Sequence, residues 1–249
     1  MNKTAVLFIH GFPFDHSMWR HQLQGLSKWR CLAPDLRGAG GSEPIADASQ
    51  YSMARYAGDL IALLDQHRVD PVIVCGLSMG GYIAFELMRQ IPARVRALIL
   101  CNTKSAADTA EARRGRDTLA EKARTRGAAA VAEELIPKVL AKRTREGQPA
   151  IVREVKDLIE RQPVAGIVGA LHALRERPDS TPLLGTIRVP TLVIAGDDDQ
   201  ITPAAGMREM ATAIADARFE MIADAGHLTP LEQPAAVNET VTSFLERVS

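Results

Sequence analysis

Short apolar runs recur along the 249-residue chain, and a longer segment with helical periodicity follows each of them. Several runs are continuously apolar, a pattern typical of strands whose two faces are both covered by helices. Strands that alternate with helices predict right-handed crossovers and a doubly wound, all-parallel α/β sheet. The predicted sheet has about six strands, at residues 5–9, 31–33, 72–75, 97–101, 191–195 and 218–222.

The alternation stops between residues 103 and 186, where the pattern is helical and glycine or proline separates the segments. This stretch contains no Phe, Tyr or Trp. We therefore expect residues 103–186 to form a helical cap that is inserted into an α/β core made of residues 1–102 and 187–249. The predicted cap helices are residues 106–124, 128–140, 150–161 and 164–175.

The motif G-x-S-x-G occupies residues 76–80, directly after a predicted strand and before a helical pattern. This strand–turn–helix context exposes the serine at a sharp turn, which requires glycine at the crowded flanking positions. The N-terminus of the following helix brings backbone N–H groups and a partial positive charge to the serine oxygen. Ser78 is therefore predicted to be a catalytic nucleophile.

A serine nucleophile needs a base that removes its proton, and the base needs a carboxylate that holds its tautomer. His227 follows the last predicted strand, and three aspartates at 197–199 follow the strand before it. Ligands of doubly wound sheets bind at the carboxyl ends of the strands, so we expect these side chains to meet Ser78. Adjacent carboxylates repel one another, so only the one aspartate that pairs with the histidine should be buried.

The loop after the first strand is predicted to complete the site. Acyl transfer builds negative charge on a carbonyl oxygen, and two preorganised N–H groups stabilise that charge. We expect the donors to be the amides of Phe12 and Met79, the latter directly following the nucleophile. Phe12, Phe14 and Trp19 are predicted to contact the substrate, since the predicted cap offers only aliphatic side chains, and His10 is expected to brace the loop.

Five segments together resemble the α/β-hydrolase superfamily, whose nucleophile, acid and histidine follow one another in the chain order found here. Within that superfamily they are similar to small bacterial esterases and lactonases, including 3-oxoadipate enol-lactonases and pimeloyl carrier-protein methyl ester esterases. The serine separates the chain from the haloalkane dehalogenases and epoxide hydrolases of this fold, which attack with an aspartate. The segments are residues 10–12, 35–42, 76–80, 196–203 and 226–234.

The resemblance implies a serine hydrolase that cleaves carboxylic esters or lactones of small, mainly aliphatic substrates through an acyl-enzyme on Ser78. Its spacing, Gly196-x-x-Asp with Pro203 four residues after that aspartate, selects Asp199 as the acid that pairs with His227 and should be buried. Two alternatives stay open. One is a carbon–carbon bond hydrolase of ring-cleavage products, which uses the same triad. The other is a ligand sensor on this fold whose hydrolysis is slow.

Composition narrows the partners to small molecules. The 30 basic and 30 acidic residues balance, which argues against nucleic acid or an anionic membrane surface as a partner. The three cysteines match no metal or redox motif, and we find neither metal-ligand spacing nor a phosphate loop, so we expect no cofactor and no metal. Free cysteines and the lack of a signal-peptide cleavage site near Met1 favour a cytoplasmic protein.

Overall fold

The computed structural model of the protein describes residues 4–248, so the ends of the predicted core, residues 1–3 and 249, lie outside the described residues. Six strands form one parallel sheet in the order β2-β1-β3-β4-β5-β6. This confirms the predicted fold class and the all-parallel sheet. The strands are β1 (Ala5–Ile9), β2 (Cys31–Leu32), β3 (Val72–Leu77), β4 (Val95–Cys101), β5 (Thr191–Gly196) and β6 (Ala217–Ile222).

Eleven α-helices are found in the described part of the chain, and three short 3₁₀ helices at His16–Trp19, Ala48–Gln50 and Pro92–Arg94 accompany them. The α-helices are α1 (Arg20–Gly25), α2 (Met53–Gln66), α3 (Met79–Gln90), α4 (Ala110–Val139), α5 (Lys142–Gly147), α6 (Pro149–Glu160), α7 (Val164–Arg175), α8 (Thr181–Leu184), α9 (Ala204–Thr212), α10 (Thr229–Glu232) and α11 (Pro234–Val248). No helix among residues 4–248 is both long and apolar enough to cross a membrane.

The strands in the middle of the sheet are buried on both faces, as their continuous apolar sequences require. Every residue of β1, β3 and β5 is buried, and Arg96 is the one exposed residue of β4. The edge strand β6 instead exposes half of its residues. Strand β3 runs two residues further than predicted, to Leu77, so it delivers the chain directly into the serine motif.

Helices α4–α8 lie between β4 and β5, in the stretch predicted to be helical. Two predicted helices form one element, α4, that is kinked at Gly127, where φ is 77°. It starts at Ala110 rather than at residue 106, because Thr109 caps the helix by accepting a hydrogen bond from the Ala112 amide at 3.2 Å. The short helices α5 and α8 were not predicted, whereas the bounds of α7 match the prediction.

Candidate active site

The predicted nucleophile lies at a strained turn between β3 and α3. Ser78 has φ 52° and ψ −109°, a left-handed conformation that is uncommon for a residue with a side chain. A Cβ atom at Gly76 would overlap the carbonyl of Gly80, and one at Gly80 would overlap the carbonyl of Ile9 in β1. Both flanking glycines are therefore required by the close approach of backbone to backbone.

Backbone and hydroxyl contacts hold this turn and leave the serine hydroxyl unengaged. The Ser78 amide donates to the Cys101 carbonyl at 2.9 Å, and its carbonyl accepts from Thr103 Oγ1 at 2.8 Å. Ser78 is half-buried, and its hydroxyl makes no hydrogen bond within residues 4–248. Hydrogen bonds between a nucleophile and its base are often long before substrate binds. The turn thus presents an unengaged hydroxyl to the surroundings of the site.

The predicted base and acid are in direct contact. Nδ1 of His227 lies 2.9 Å from Oδ2 and 3.1 Å from Oδ1 of Asp199, and both residues are buried. A carboxylate at Nδ1 favours the tautomer that carries its proton there and leaves Nε2 free to accept one. Nε2 of His227 has no hydrogen-bond partner in the described chain. The structure therefore pairs the predicted acid with the predicted base, and no hydrogen bond joins that histidine to Ser78.

Hydrogen bonds converge on both oxygens of Asp199. Oδ1 accepts from the amides of Ile201 at 2.8 Å and Thr202 at 3.0 Å, while Oδ2 accepts from Thr202 Oγ1 at 2.6 Å and Asn102 Nδ2 at 2.9 Å. Burial alone would raise the pKa of Asp199. The charge of His227 and the hydrogen bonds outweigh burial and hold the pKa well below its usual range, so the carboxylate is ionised.

The two neighbouring aspartates lie in different surroundings. Asp197 is exposed and accepts from the Ala225 amide at 3.1 Å, while Asp198 is half-buried and accepts from the Lys142 amide at 2.8 Å. Of the three consecutive carboxylates, Asp199 is the buried one, and it is the one bonded to the histidine.

Asn102, to which the sequence analysis assigned no role, holds the Asp199 carboxylate in place. It directly follows β4, and its Nδ2 bonds both Asp199 and the Gly226 carbonyl, the latter at 3.1 Å. Its Oδ1 accepts from Thr229 Oγ1 at 2.7 Å, which fixes which way the amide faces. The sequence does contain one indication of this role: Asn102 is a polar residue that directly follows an apolar strand, at the same edge of the sheet as the serine.

Glu232 connects the histidine loop to the chain between β4 and β5. Its Oε1 accepts from the amides of Gly226 at 2.9 Å and Leu228 at 3.2 Å. Its Oε2 accepts from the Ala141 amide at 2.8 Å and from Thr144 Oγ1 at 2.6 Å. Burial raises the pKa of Glu232, and these hydrogen bonds oppose the rise. The sequence analysis included this residue only within a family-like segment.

The predicted oxyanion donors have unengaged amides. Neither the amide of Phe12 nor that of Met79 donates a hydrogen bond to any described residue. Met79 is the first residue of α3, so its N–H also carries the positive end of the helix dipole. A Cβ atom at Gly11 would lie 2.8 Å from Cδ2 of Leu77, so the loop after β1 lies directly against the serine turn.

The side chain of His10 fixes the loop after β1. Its Nδ1 lies 2.9 Å from the Gly11 carbonyl oxygen, and its Nε2 accepts from the Leu36 amide at 3.0 Å. Burial lowers the pKa of His10, and the neutral ring can donate at one nitrogen and accept at the other. Both nitrogens are thereby occupied in fixing the loop that carries Phe12.

A small cavity adjoins the predicted oxyanion donors. Its volume is about 20 Å³, on a scale where one water-sized sphere needs roughly 10–15 Å³. Ser78 and His227 do not line it, so it forms a side pocket next to the amides rather than the whole site. Its wall consists of residues 10–14 and 36–39 with Tyr56, Met79, Gln162, Gly166, Ile167 and Ala170.

The three predicted aromatic contacts differ in position. Phe12 and Phe14 line the cavity, but Trp19 does not. Trp19 is fully buried, and its ring centroid lies 5.1 Å from that of Phe8 on β1. Its position corrects the prediction of a substrate contact, because the indole packs into the core beneath the loop. Tyr56 on α2 is the aromatic wall residue that the sequence analysis missed.

One group of described residues approaches the geometry of a metal site. Ligand atoms of Asp15, His16 and Asp35 all lie within 4.8 Å of one another. Asp15 is already paired with Arg161 at 2.7 Å, and Asp35 accepts from His16 Nδ1 at 2.7 Å. These carboxylates are engaged by protein cations and donors, so the arrangement is explained without an ion.

The fold and this arrangement define the class of protein. Residues 4–234 match the family described as the α/β hydrolase fold, and the chain belongs to that family.

Three bacterial enzymes are similar to the chain over almost its whole length. The chain is 28% identical to 3-oxoadipate enol-lactonase 2 of Acinetobacter baylyi, over 99% of this chain and 90% of that protein. Among solved structures it resembles a thermophilic esterase from Thermogutta terrifontis, with a TM-score of 0.93 and 37% identity over 98% of this chain and 90% of the other. It also resembles the enol-lactonase from Burkholderia xenovorans, with a TM-score of 0.90 and 32% identity over 99% and 92% of the two chains.

Proposed function

We propose that the protein hydrolyses carboxylic esters or lactones of small, mainly aliphatic substrates through an acyl-enzyme on Ser78. The observation that carries the proposal is the buried pair of His227 Nδ1 and Asp199, 2.9 Å apart, at the same sheet edge as a strained serine. The similarity to an esterase and to enol-lactonases supports esters and lactones as the substrate class.

In the proposed mechanism, His227 Nε2 takes the hydroxyl proton as Ser78 attacks the carbonyl carbon. The amides of Phe12 and Met79 then bind the tetrahedral oxyanion. The bond between the carbonyl carbon and the ester oxygen then breaks, and this oxygen takes the proton from His227 to become the hydroxyl of the alcohol. The same nitrogen next takes a proton from a water molecule, which attacks the acyl-enzyme and releases the acid. Asp199 stays ionised throughout, which keeps the ring oriented and stabilises the imidazolium.

The helices between β4 and β5 support a role in substrate selection. We assign residues 103–186 to a cap and the remainder, residues 1–102 and 187–249, to the catalytic core. Four residues of this cap form part of the cavity wall: Gln162, Gly166, Ile167 and Ala170. Together with Phe12 and Phe14 in the same wall, they favour compact aliphatic groups next to the reacting carbonyl.

A reducing, cytoplasmic location is supported by the cysteines. Cys75 and Cys101 are buried with free thiols, and Cys31 is a half-buried free thiol. Unpaired thiols are typical of proteins in reducing compartments. The balanced charge supports a small-molecule substrate over nucleic acid.

The test is hydrolysis of p-nitrophenyl esters and lactones of graded chain length by the wild type and by Ser78→Ala. We expect turnover of short esters, and a loss of about 10⁴-fold or more in Ser78→Ala. A fluorophosphonate probe should label the wild type and not the variant. Activity within tenfold of wild type in Ser78→Ala would place the nucleophile elsewhere, and cleavage of ring-cleavage dienoates without ester hydrolysis would favour carbon–carbon bond chemistry.

A further inference from the structure

Tyr56 presents a hydroxyl group without a partner at the cavity wall. It lies on α2 and is 1% exposed, and it lines the same cavity as Phe12 and Met79. No hydrogen bond of its hydroxyl is found within residues 4–248, and burial and nearby charges are the influences on its pKa. The neighbouring Tyr51 differs, because its hydroxyl accepts from the Ile45 amide at 2.7 Å.

The other polar side chains of the wall are already engaged. Both ring nitrogens of His10 are used to brace the loop. Arg37 donates to Asp59 at 2.8 and 2.6 Å. Gln162 accepts from the Gly40 amide at 2.9 Å and donates to the Asp15 carboxylate at 2.8 Å. Among the neutral side chains of the wall that the structure describes, the tyrosine hydroxyl is thus the donor that remains open.

An open hydroxyl in an apolar wall favours a ligand that carries an acceptor. A ligand that fills the cavity covers this hydroxyl, and covering a hydroxyl without giving it a hydrogen bond is costly. Burial also raises the pKa of Tyr56, which keeps the phenol a donor. The cavity has room for one or two water-sized groups.

We propose that Tyr56 is a specificity-determining residue that donates a hydrogen bond to an oxygen which the substrate carries next to its scissile ester. The substrate class is then esters or lactones with a compact oxygen-bearing substituent, such as an ether, hydroxyl or keto group. The oxyanion amides of Phe12 and Met79 hold the scissile carbonyl at the mouth of this cavity. This inference rests on the proposed ester hydrolysis.

The experiment compares isosteric ester pairs in the wild type and in Tyr56→Phe. Ethyl methoxyacetate is paired with ethyl butyrate to probe the acyl side, and 2-methoxyethyl acetate with butyl acetate to probe the alcohol side. The ratio of kcat/KM within each pair is the readout, because the intrinsic reactivity difference within a pair is the same for both proteins. Tyr51→Phe is the matched control, since its hydroxyl is bonded to a backbone amide outside the cavity wall.

We expect the preference for the oxygen-bearing member to fall about tenfold in Tyr56→Phe in at least one pair, as loss of one hydrogen bond predicts. The alkyl esters should stay within about threefold, and Tyr51→Phe should leave the ratio unchanged. Unchanged ratios in both pairs, with alkyl esters still hydrolysed, would overturn the role of Tyr56 and leave the ester hydrolase standing. No hydrolysis of any of the four esters by the wild type would overturn both.

Discussion

The Asp199 carboxylate is the most densely hydrogen-bonded group of the site. Two backbone amides, a threonine hydroxyl, the Asn102 amide and His227 all point at it. Donors in this arrangement stabilise a negative charge. If the side chain at this position were neutral, some of these buried donors would lose their acceptor, which is costly. The geometry therefore distinguishes Asp199 from its two neighbours by more than burial.

We predict that Asp199→Asn preserves the fold and lowers turnover by about 10⁴-fold, because the amide favours the wrong histidine tautomer, as in another serine triad. Asp197→Asn and Asp198→Asn should each change turnover by less than about tenfold, since they accept from backbone amides away from the ring. Steady-state kinetics on a p-nitrophenyl ester measures all three. Full activity in Asp199→Asn together with inactivity in Asp198→Asn would contradict the assignment.

Among the secondary-structure elements, the loop after β6 and the junction of α4 with α5 act as one unit. Glu232, at the end of α10, accepts hydrogen bonds from both of these segments. In addition, the His227 amide donates to the Val139 carbonyl at 2.9 Å. A Cβ atom at Gly226 would lie 2.5 Å from the Ala141 nitrogen, so the two segments touch. The position of the histidine thus depends on helices that lie far away in the sequence.

We predict that Glu232→Gln lowers kcat about 10- to 100-fold with a smaller change in KM. A glutamine has one acceptor oxygen, so one of the two segments loses its partner and the histidine moves, and small misplacements of catalytic groups are costly. Glu239→Gln, an exposed substitution on α11, is the matched control and should be silent. Equal kcat in both variants, or a change in KM alone, would show that Glu232 does not position His227.

At the scale of the whole molecule, a second set of polar contacts, centred on Asp15, joins the proposed cap to the core. Arg161 donates from Nε and Nη2 to Asp15 at 2.8 Å each, and Gln162 donates to the same carboxylate at 2.8 Å. Burial would raise the pKa of Asp15, but bonds from Ser17, Arg161 and Gln162 outweigh it, so the pKa is lowered. The ionised carboxylate therefore holds the proposed cap against the core.

We predict that Asp15→Asn destabilises the protein by about 1–3 kcal/mol at pH 7, which is about 2–4 °C in Tm for each kcal/mol. Because the folded pKa is lowered, this contribution is present above the unfolded value of ~3.9 and is lost as the pH falls below it toward the folded pKa. Thermal unfolding followed at pH 7 and near pH 3 measures it. A Tm difference that is the same at both pH values would contradict an ionic contribution.

Much of the architecture follows from local patterns. All six strands were predicted to within about two residues at either end, since continuous apolar runs have few alternatives in a chain that alternates with helices. The helices α6 and α7 were also predicted closely, whereas α5 and α8 are short elements without a periodic signal. The start of α4 was missed because a cap residue, not apolar spacing, sets it.

The sequence by itself determined the sheet, the serine turn and the chain order of Ser78, Asp199 and His227, because strand ends and glycine-dependent turns are local features. The tertiary structure decided which distant side chains meet them. Asn102 and Glu232 gained their roles through contacts across 97 and 91 residues, respectively. Trp19 packs in the core, whereas Tyr56 lines the cavity. Local sequence did not predict this difference, because it depends on how each helix packs against the other elements.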